Sequence, residues 1–129
     1  MKNTEIIIDS GGFSIQQGYF KNEDIPPFDF LFGGFPCQPF SASGKRNGFA
    51  DTRGTLFFEI ERIIKYHQPK GFILENVEGL VKHDLEDKND EIGRTLKTIL
   101  DKLENELDYQ VTWKVLDSVH FGVPQSRKR

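Results

Sequence analysis

A single cysteine, a single tryptophan and a single methionine stand in a chain of 129 residues. One thiol cannot close an intrachain disulfide, and it excludes a metal site built from several cysteines. That usage suits a reducing compartment. No apolar run approaches the ~20 residues that span a bilayer, and nothing around Met1 has the order of a secretory signal. The chain reads as soluble and cytoplasmic. Internal repeats, low-complexity tracts and inter-domain linkers are also missing. So is a positive balance: the net charge is −3, whereas phosphate binding ordinarily calls for a basic surface.

Phenylalanine, by contrast, is abundant, with 12 copies, and implies an interior rich in aromatic packing. The length suits one domain with a real core. Charge is unevenly distributed. Acidic residues crowd between Asp84 and Asp108, and basic ones lie at Lys45, Arg46 and Arg53 and again at Arg127-Lys128-Arg129. A solvated surface is the ordinary meaning of each basic group by itself.

Along the chain, Ile6-Ile7-Ile8 suggests a short strand ended by Ser10-Gly11-Gly12. The glycine spacing is not the G-x-G-x-x-G fingerprint of a dinucleotide turn. Pro26-Pro27 marks a loop into Phe30 to Phe35, an aromatic run closed by glycine and proline that reads as a buried strand. Residues 36 to 54 form a long loop with Gly44 and Gly48 as hinge candidates, and loops of that length are commonly functional. Helical spacing begins at Thr55, a candidate N-cap, with Leu56, Phe57, Ile60, Ile63 and Ile64 facing inward. Gly71 to Leu74 is a further strand, so the strand–helix–strand order predicts an α/β fold with a parallel crossover. A second helix carries Ile92, Leu96, Ile99, Leu100, Leu103 and Leu107 on one face. From Tyr109 to Val115 apolar and polar residues alternate, the period of a half-buried strand.

The only cysteine, Cys37, sits between Pro36 and Pro39 directly after the first aromatic strand. The prolines stiffen the turn, and the carboxyl edge of an open α/β sheet is where ligands gather. Local pattern leaves two readings open: a small buried hydrophobe or a nucleophile. Three segments leave strand ends: Pro36-Cys37-Gln38, Glu75-Asn76-Val77 and Gln125 to Arg129. A thiolate, a carboxylate and guanidinium groups form a coherent set for attack, proton handling and the binding of carbonyl or phosphate oxygens.

The run Phe35-Pro36-Cys37-Gln38-Pro39-Phe40-Ser41 resembles the nucleophile motif of the DNA cytosine-5 methyltransferases. The likeness continues in order through Asp51 to Phe58, Glu75-Asn76-Val77 and Pro124-Gln125-Ser126-Arg127-Lys128-Arg129, the last fitting that family's Gln-x-Arg-x-Arg motif. It implies methyl transfer from S-adenosyl-L-methionine to C5 of a cytosine flipped out of double-stranded DNA. Cys37 would attack C6, Glu75 would hydrogen-bond the base near N3, Arg129 would hold O2, and Arg127 would position Glu75 and the thiol. The resemblance also assigns Asp24, Ile25, Pro36 and Leu56 to the cofactor, and Gln38, Ser41, Lys45, Arg46, Arg53 and Gln125 to DNA.

The implied fold is an incomplete Rossmann-like methyltransferase fold with a mostly parallel sheet, residues 1–129 forming one partial catalytic domain. The family's first cofactor motif, for which Asp9 to Phe13 is a faint counterpart, and its target-recognition region are expected to be absent. Weak cofactor binding and little turnover by the chain alone follow as expectations, with a complementing methyltransferase subunit as a partner. Restriction-modification is the implied setting. An inactive relic and an RNA cytosine-5 methyltransferase are the alternatives.

Overall fold

The structure, a computed structural model, describes residues 21–35 and 57–129 in full and the backbone alone of residues 5–8 and 55–56. The chain divides into two compact units, residues 1–75 and 76–129.

In the first unit, β1 (Glu5–Ile8), β2 (Phe30–Gly34) and β3 (Gly71–Glu75) form a parallel sheet in the order β1-β2-β3. The register pairs Ile6 with Leu31, Phe32 with Ile73 and Gly34 with Glu75. Parallel neighbours need a crossover, and α1 (Thr55–His67) lies between β2 and β3 in the chain. Its apolar residues recur every three or four positions, so one stripe faces inward: Phe57, Ile60, Ile63 and Ile64 are all buried. Leu31, on β2, is fully buried with them, while Phe30, one residue earlier and on the opposite face, is exposed. Phe35 leaves β2 and packs its ring against Phe57, with centroids 5.6 Å apart. This contact joins the end of β2 to the first turns of α1.

At the amino ends of the strands, Lys70 pairs with Asp29 at 3.1 Å and its amide donates to the Asp29 carbonyl at 2.8 Å. A 3-10 turn, Asn22–Asp24, is held to α1 by Arg62, whose guanidinium donates to Asn22 Oδ1 and also forks onto Glu59. The mixed helix and strand content and the parallel pairing agree with the α/β expectation.

The second unit begins with a 3-10 turn, Glu78–Leu80, followed by a closed loop. The Gly93 amide donates to the Val81 carbonyl at 2.7 Å and the Arg94 amide to the Asp84 carbonyl at 3.0 Å. Gly93 is required there, because a Cβ would lie 1.8 Å from the His83 carbonyl oxygen. Helix α2 (Arg94–Asp101) continues into a π-helical turn, Lys102–Glu106, and buries Leu96, Ile99 and Leu103.

One sequence expectation is corrected here. Residues 109–115 form no strand ladder among the described residues. Tyr109, Val111 and Val115 are half-buried and Gln110, Thr112 and Lys114 exposed, but Trp113, on the apolar side of the pattern, is exposed as well. Period-two polarity marks one apolar side, whereas a strand also needs a hydrogen-bonded neighbour. Backbone pairing starts only at Leu116 and Asp117, opposite Arg129 and Lys128.

Candidate functional site

The parallel register places the carboxyl ends of β2 and β3 side by side, with Gly34 directly opposite Glu75. Glu75 is exposed at that edge. A Cβ on Gly34 would stand 3.3 Å from Glu75 Oε2. The carboxylate therefore lies over the end of β2, in space a side chain at position 34 would contest. Gly34 appeared in the sequence only as the end of an apolar run; a glycine at a strand end is a signal for such close approach. From Gly34 the chain runs through buried Phe35 toward Cys37.

Pro36, Cys37, Gln38, Ser41, Lys45, Arg46 and Arg53 lie outside the described residues, as do the hinge candidates Gly44 and Gly48 and the segment Asp9 to Phe13. Leu56 lies in α1, where its backbone alone is described, and Thr55 opens that helix. Asp24 ends the 3-10 turn before β2, where its Oδ2 accepts from the Lys21 amide at 3.0 Å. Ile25 follows it and is half-buried.

In the second unit, Arg127 and Arg129 sit on an extended return segment that follows a bend at Pro124 and Gln125. Leu116 and Arg129 exchange both backbone hydrogen bonds, at 2.8 and 2.9 Å, and the Ser118 amide donates to the Arg127 carbonyl at 3.1 Å. Extended backbone sends residues two apart to one side. Arg127 and Arg129 thus share a side, which is the physical content of the Arg-x-Arg spacing, whereas Gln125 lies in a bend before them. Ser126 and Lys128 take the other: the Ser126 hydroxyl donates to Asp117 Oδ2 at 2.7 Å, and Lys128 Nζ approaches Glu78 Oε1 at 3.6 Å. A 3-10 turn, Ser118–Phe121, closed by Gly122 at φ 83°, reverses the chain between the two arms. Ser126 and the Val119 and Arg127 amides, with the nearby His120, hold the Asp117 carboxyl below its ordinary value against the opposing effect of burial.

Residues 7–129 match the family profile of C-5 cytosine-specific DNA methylases. The chain belongs to that family. Among its relatives, the Type II methyltransferase M.NgoBV of Neisseria gonorrhoeae is 64% identical over 106 residues, covering 82% of this chain and 25% of the relative. M.BanI of Aneurinibacillus aneurinilyticus is 61% identical over 105 residues, covering 81% and 23%. M.HpaII of Haemophilus parainfluenzae is 55% identical over 103 residues, covering 79% and 27%. The chain spans about a quarter of the length of these relatives. In this DNA methylase chain, the described residues contain no group of three or more His, Cys, Asp or Glu able to hold a metal, and no helix long and apolar enough to cross a membrane.

Proposed function

We propose that these residues form the catalytic part of a DNA cytosine-5 methyltransferase that acts through a covalent Cys37 adduct. The observation that carries the reading is the pairing of Gly34 with Glu75. It sets the strand that runs into the cysteine beside the strand that ends in the carboxylate. The chain corresponds to about a quarter of its relatives, so the activity is proposed for the protein that contains it and not for 129 residues in isolation. A Rossmann-like arrangement fits the parallel β2–α1–β3 crossover.

C5 of cytosine is a poor nucleophile while the ring is aromatic. In the proposed mechanism the Cys37 thiolate adds to C6 and breaks that aromaticity. Glu75 hydrogen-bonds N3 and the exocyclic amine, offsetting the charge that develops as sulfur adds. Arg129 holds the O2 carbonyl, a task suited to a permanently charged, planar donor. Loss of the C5 proton and expulsion of Cys37 close the cycle. Flipping is required because stacked bases hide both ring faces. Gln38, Ser41, Lys45, Arg46, Arg53 and Gln125 are proposed to contact the DNA.

The proposed cofactor is S-adenosyl-L-methionine, which when bound supplies an activated methyl carbon. Asp24 and Ile25 fit it chemically: an exposed carboxylate can accept from an adenine amine or a ribose hydroxyl, and the adjacent half-buried isoleucine offers an apolar surface. Pro36 and Leu56 are proposed to complete that pocket.

The test is covalent trapping on duplex DNA containing 5-fluorocytosine, with the chain alone and co-expressed with its flanking coding sequences. An adduct that disappears in Cys37→Ser is the expected result. An adduct on RNA only, or none on either nucleic acid, would overturn the reading.

A further inference from the structure

Asp117 joins every part of the return turn. Oδ1 accepts from the Val119 amide at 3.2 Å and the Arg127 amide at 3.1 Å, and Oδ2 accepts from the Ser126 hydroxyl. The antiparallel pairing begun by Leu116 and Arg129 next calls for the Arg127 amide to donate to the Ser118 carbonyl. That carbonyl is already taken, accepting from Gly122 and from Val123 within the turn. The Asp117 carboxylate stands in as the acceptor, so the Arg127 amide is satisfied although the ladder is interrupted. The Ser118 hydroxyl adds a bond to the Gln125 carbonyl. Side chains from Ser118 through Phe121 are half-buried or exposed, so apolar burial contributes little to this register.

We propose that Asp117 is a positioning residue for the reaction, holding Arg127 and Arg129 on one side of the return segment so that Arg129 can take the cytosine O2 and Arg127 can position Glu75 and the thiol. This rests on the proposed roles of those residues at the cytosine. Three hydrogen bonds to one side chain make the arrangement depend on acceptor geometry more than on charge. Asparagine is therefore a fair substitute: its Oδ1 can accept both amides while its Nδ2 donates to the Ser126 oxygen. The charged groups around the carboxylate are His120 on the 3-10 turn and Arg127 and Lys128 on the return segment, with Lys128 drawn toward Glu78. Because the Asp117 pKa is lowered in the fold, the order it imposes is complete above ~3.9, the unfolded value. The charge-assisted part of it declines as pH falls through the lower folded value, while the neutral carboxyl, like asparagine, still offers one acceptor and one donor.

Amide hydrogen exchange by NMR on the full chain tests this, with the Leu96 and Ile99 amides of α2 as the control for global unfolding. Asp117→Ala is expected to speed exchange at Arg127 and Arg129 about tenfold or more while the α2 amides hold. Asp117→Asn is expected to stay near wild type and to abolish the acid-side titration of Arg127 protection. Should Asp117→Ala unfold the whole unit, Ser126→Ala, which removes one of the three bonds, is expected to speed Arg127 exchange by a smaller factor. Unchanged Arg127 exchange in both variants, or an Asn variant as loose as the Ala variant, would overturn the proposal. Adduct formation on 5-fluorocytosine DNA separates the two claims. If Cys37→Ser abolishes the adduct but Asp117→Ala leaves its rate intact, the catalytic reading stands and the positioning role falls. If Cys37→Ser leaves the adduct intact, the catalytic reading is what fails.

Discussion

The two places that carry the proposed chemistry are built by opposite means. Glu75 stands at the edge of a parallel sheet whose neighbours are a full ladder and a buried stripe of Leu31, Phe57, Ile60, Ile63 and Ile64. Arg127 and Arg129 stand on an exposed return turn held by polar bonds to one aspartate and by a single bridge to residue 117. The first arrangement is fixed by packing, so it depends on volume. The second is fixed by hydrogen bonds near water, each of modest net worth, and it depends on individual polar atoms.

The largest expected effect comes from removing the packing. Phe57 is 1% exposed and in ring contact with Phe35. Phe57→Ala should cost about 3–5 kcal/mol, a large share of a typical domain's stability. Urea unfolding followed by far-ultraviolet circular dichroism measures it. A cost below about 1 kcal/mol, the size of one polar bond, would erase the contrast between the two regions.

A smaller change sharpens the contrast without unfolding anything. Gly34→Ala brings a Cβ to 3.3 Å from Glu75 Oε2, the far end of a flexible side chain. The backbone need not move, and stability should stay within about 1 kcal/mol of wild type. The carboxylate must give way, and a misplaced group of this kind lowers rate by roughly ten- to a hundredfold. The expected outcome is a displaced side-chain carboxyl signal for Glu75 by carbon NMR, with slower adduct formation at an unchanged urea midpoint. An unmoved Glu75 signal would show that the glycine has no bearing on the carboxylate.

How legible each region is in the sequence follows from the same difference. Packing leaves apolar traces, so β2 and β3 can be read as short apolar runs, and α1 and the buried face of α2 from apolar spacing at three to four residues. Polar scaffolding leaves none. Asp117 looks like any surface aspartate until its three donors are seen, although an Asp-Ser pair opening a tight turn is the local signal for such bonding. Gly34 is visible as a glycine but not as the space under Glu75, because its partner is 41 positions away in the paired strand. The alternation from Tyr109 to Val115 misleads for a related reason: it records which side is apolar and is silent about whether a neighbouring strand exists. The order and residue types of Cys37, Glu75, Arg127 and Arg129 carried the resemblance to the family that residues 7–129 match.

The smallest expected effect separates the units by pH. His83, in the second unit, is within hydrogen-bond distance of buried Thr95, its Nδ1 2.7 Å from Oγ1. Burial pushes the imidazole pKa below its ordinary value, and the neighbouring Asp84 carboxylate only partly opposes that. A lowered folded pKa means that the unfolded chain takes up the proton first. The stability contribution is therefore complete above ~6.5, the unfolded value, and declines as pH falls toward and through the lower folded value. Asp90 and Asp117, also lowered, remain charged in that window. The chain's one tryptophan, Trp113, lies in this unit and gives it a private fluorescence signal. Urea midpoints read from Trp113 should be modestly lower at pH 5.5 than at pH 7.5, and His83→Gln should flatten the difference. An equal drop in the glutamine variant would assign the pH sensitivity to another group and leave the polar loop around Gly93 no more acid-sensitive than the packed sheet.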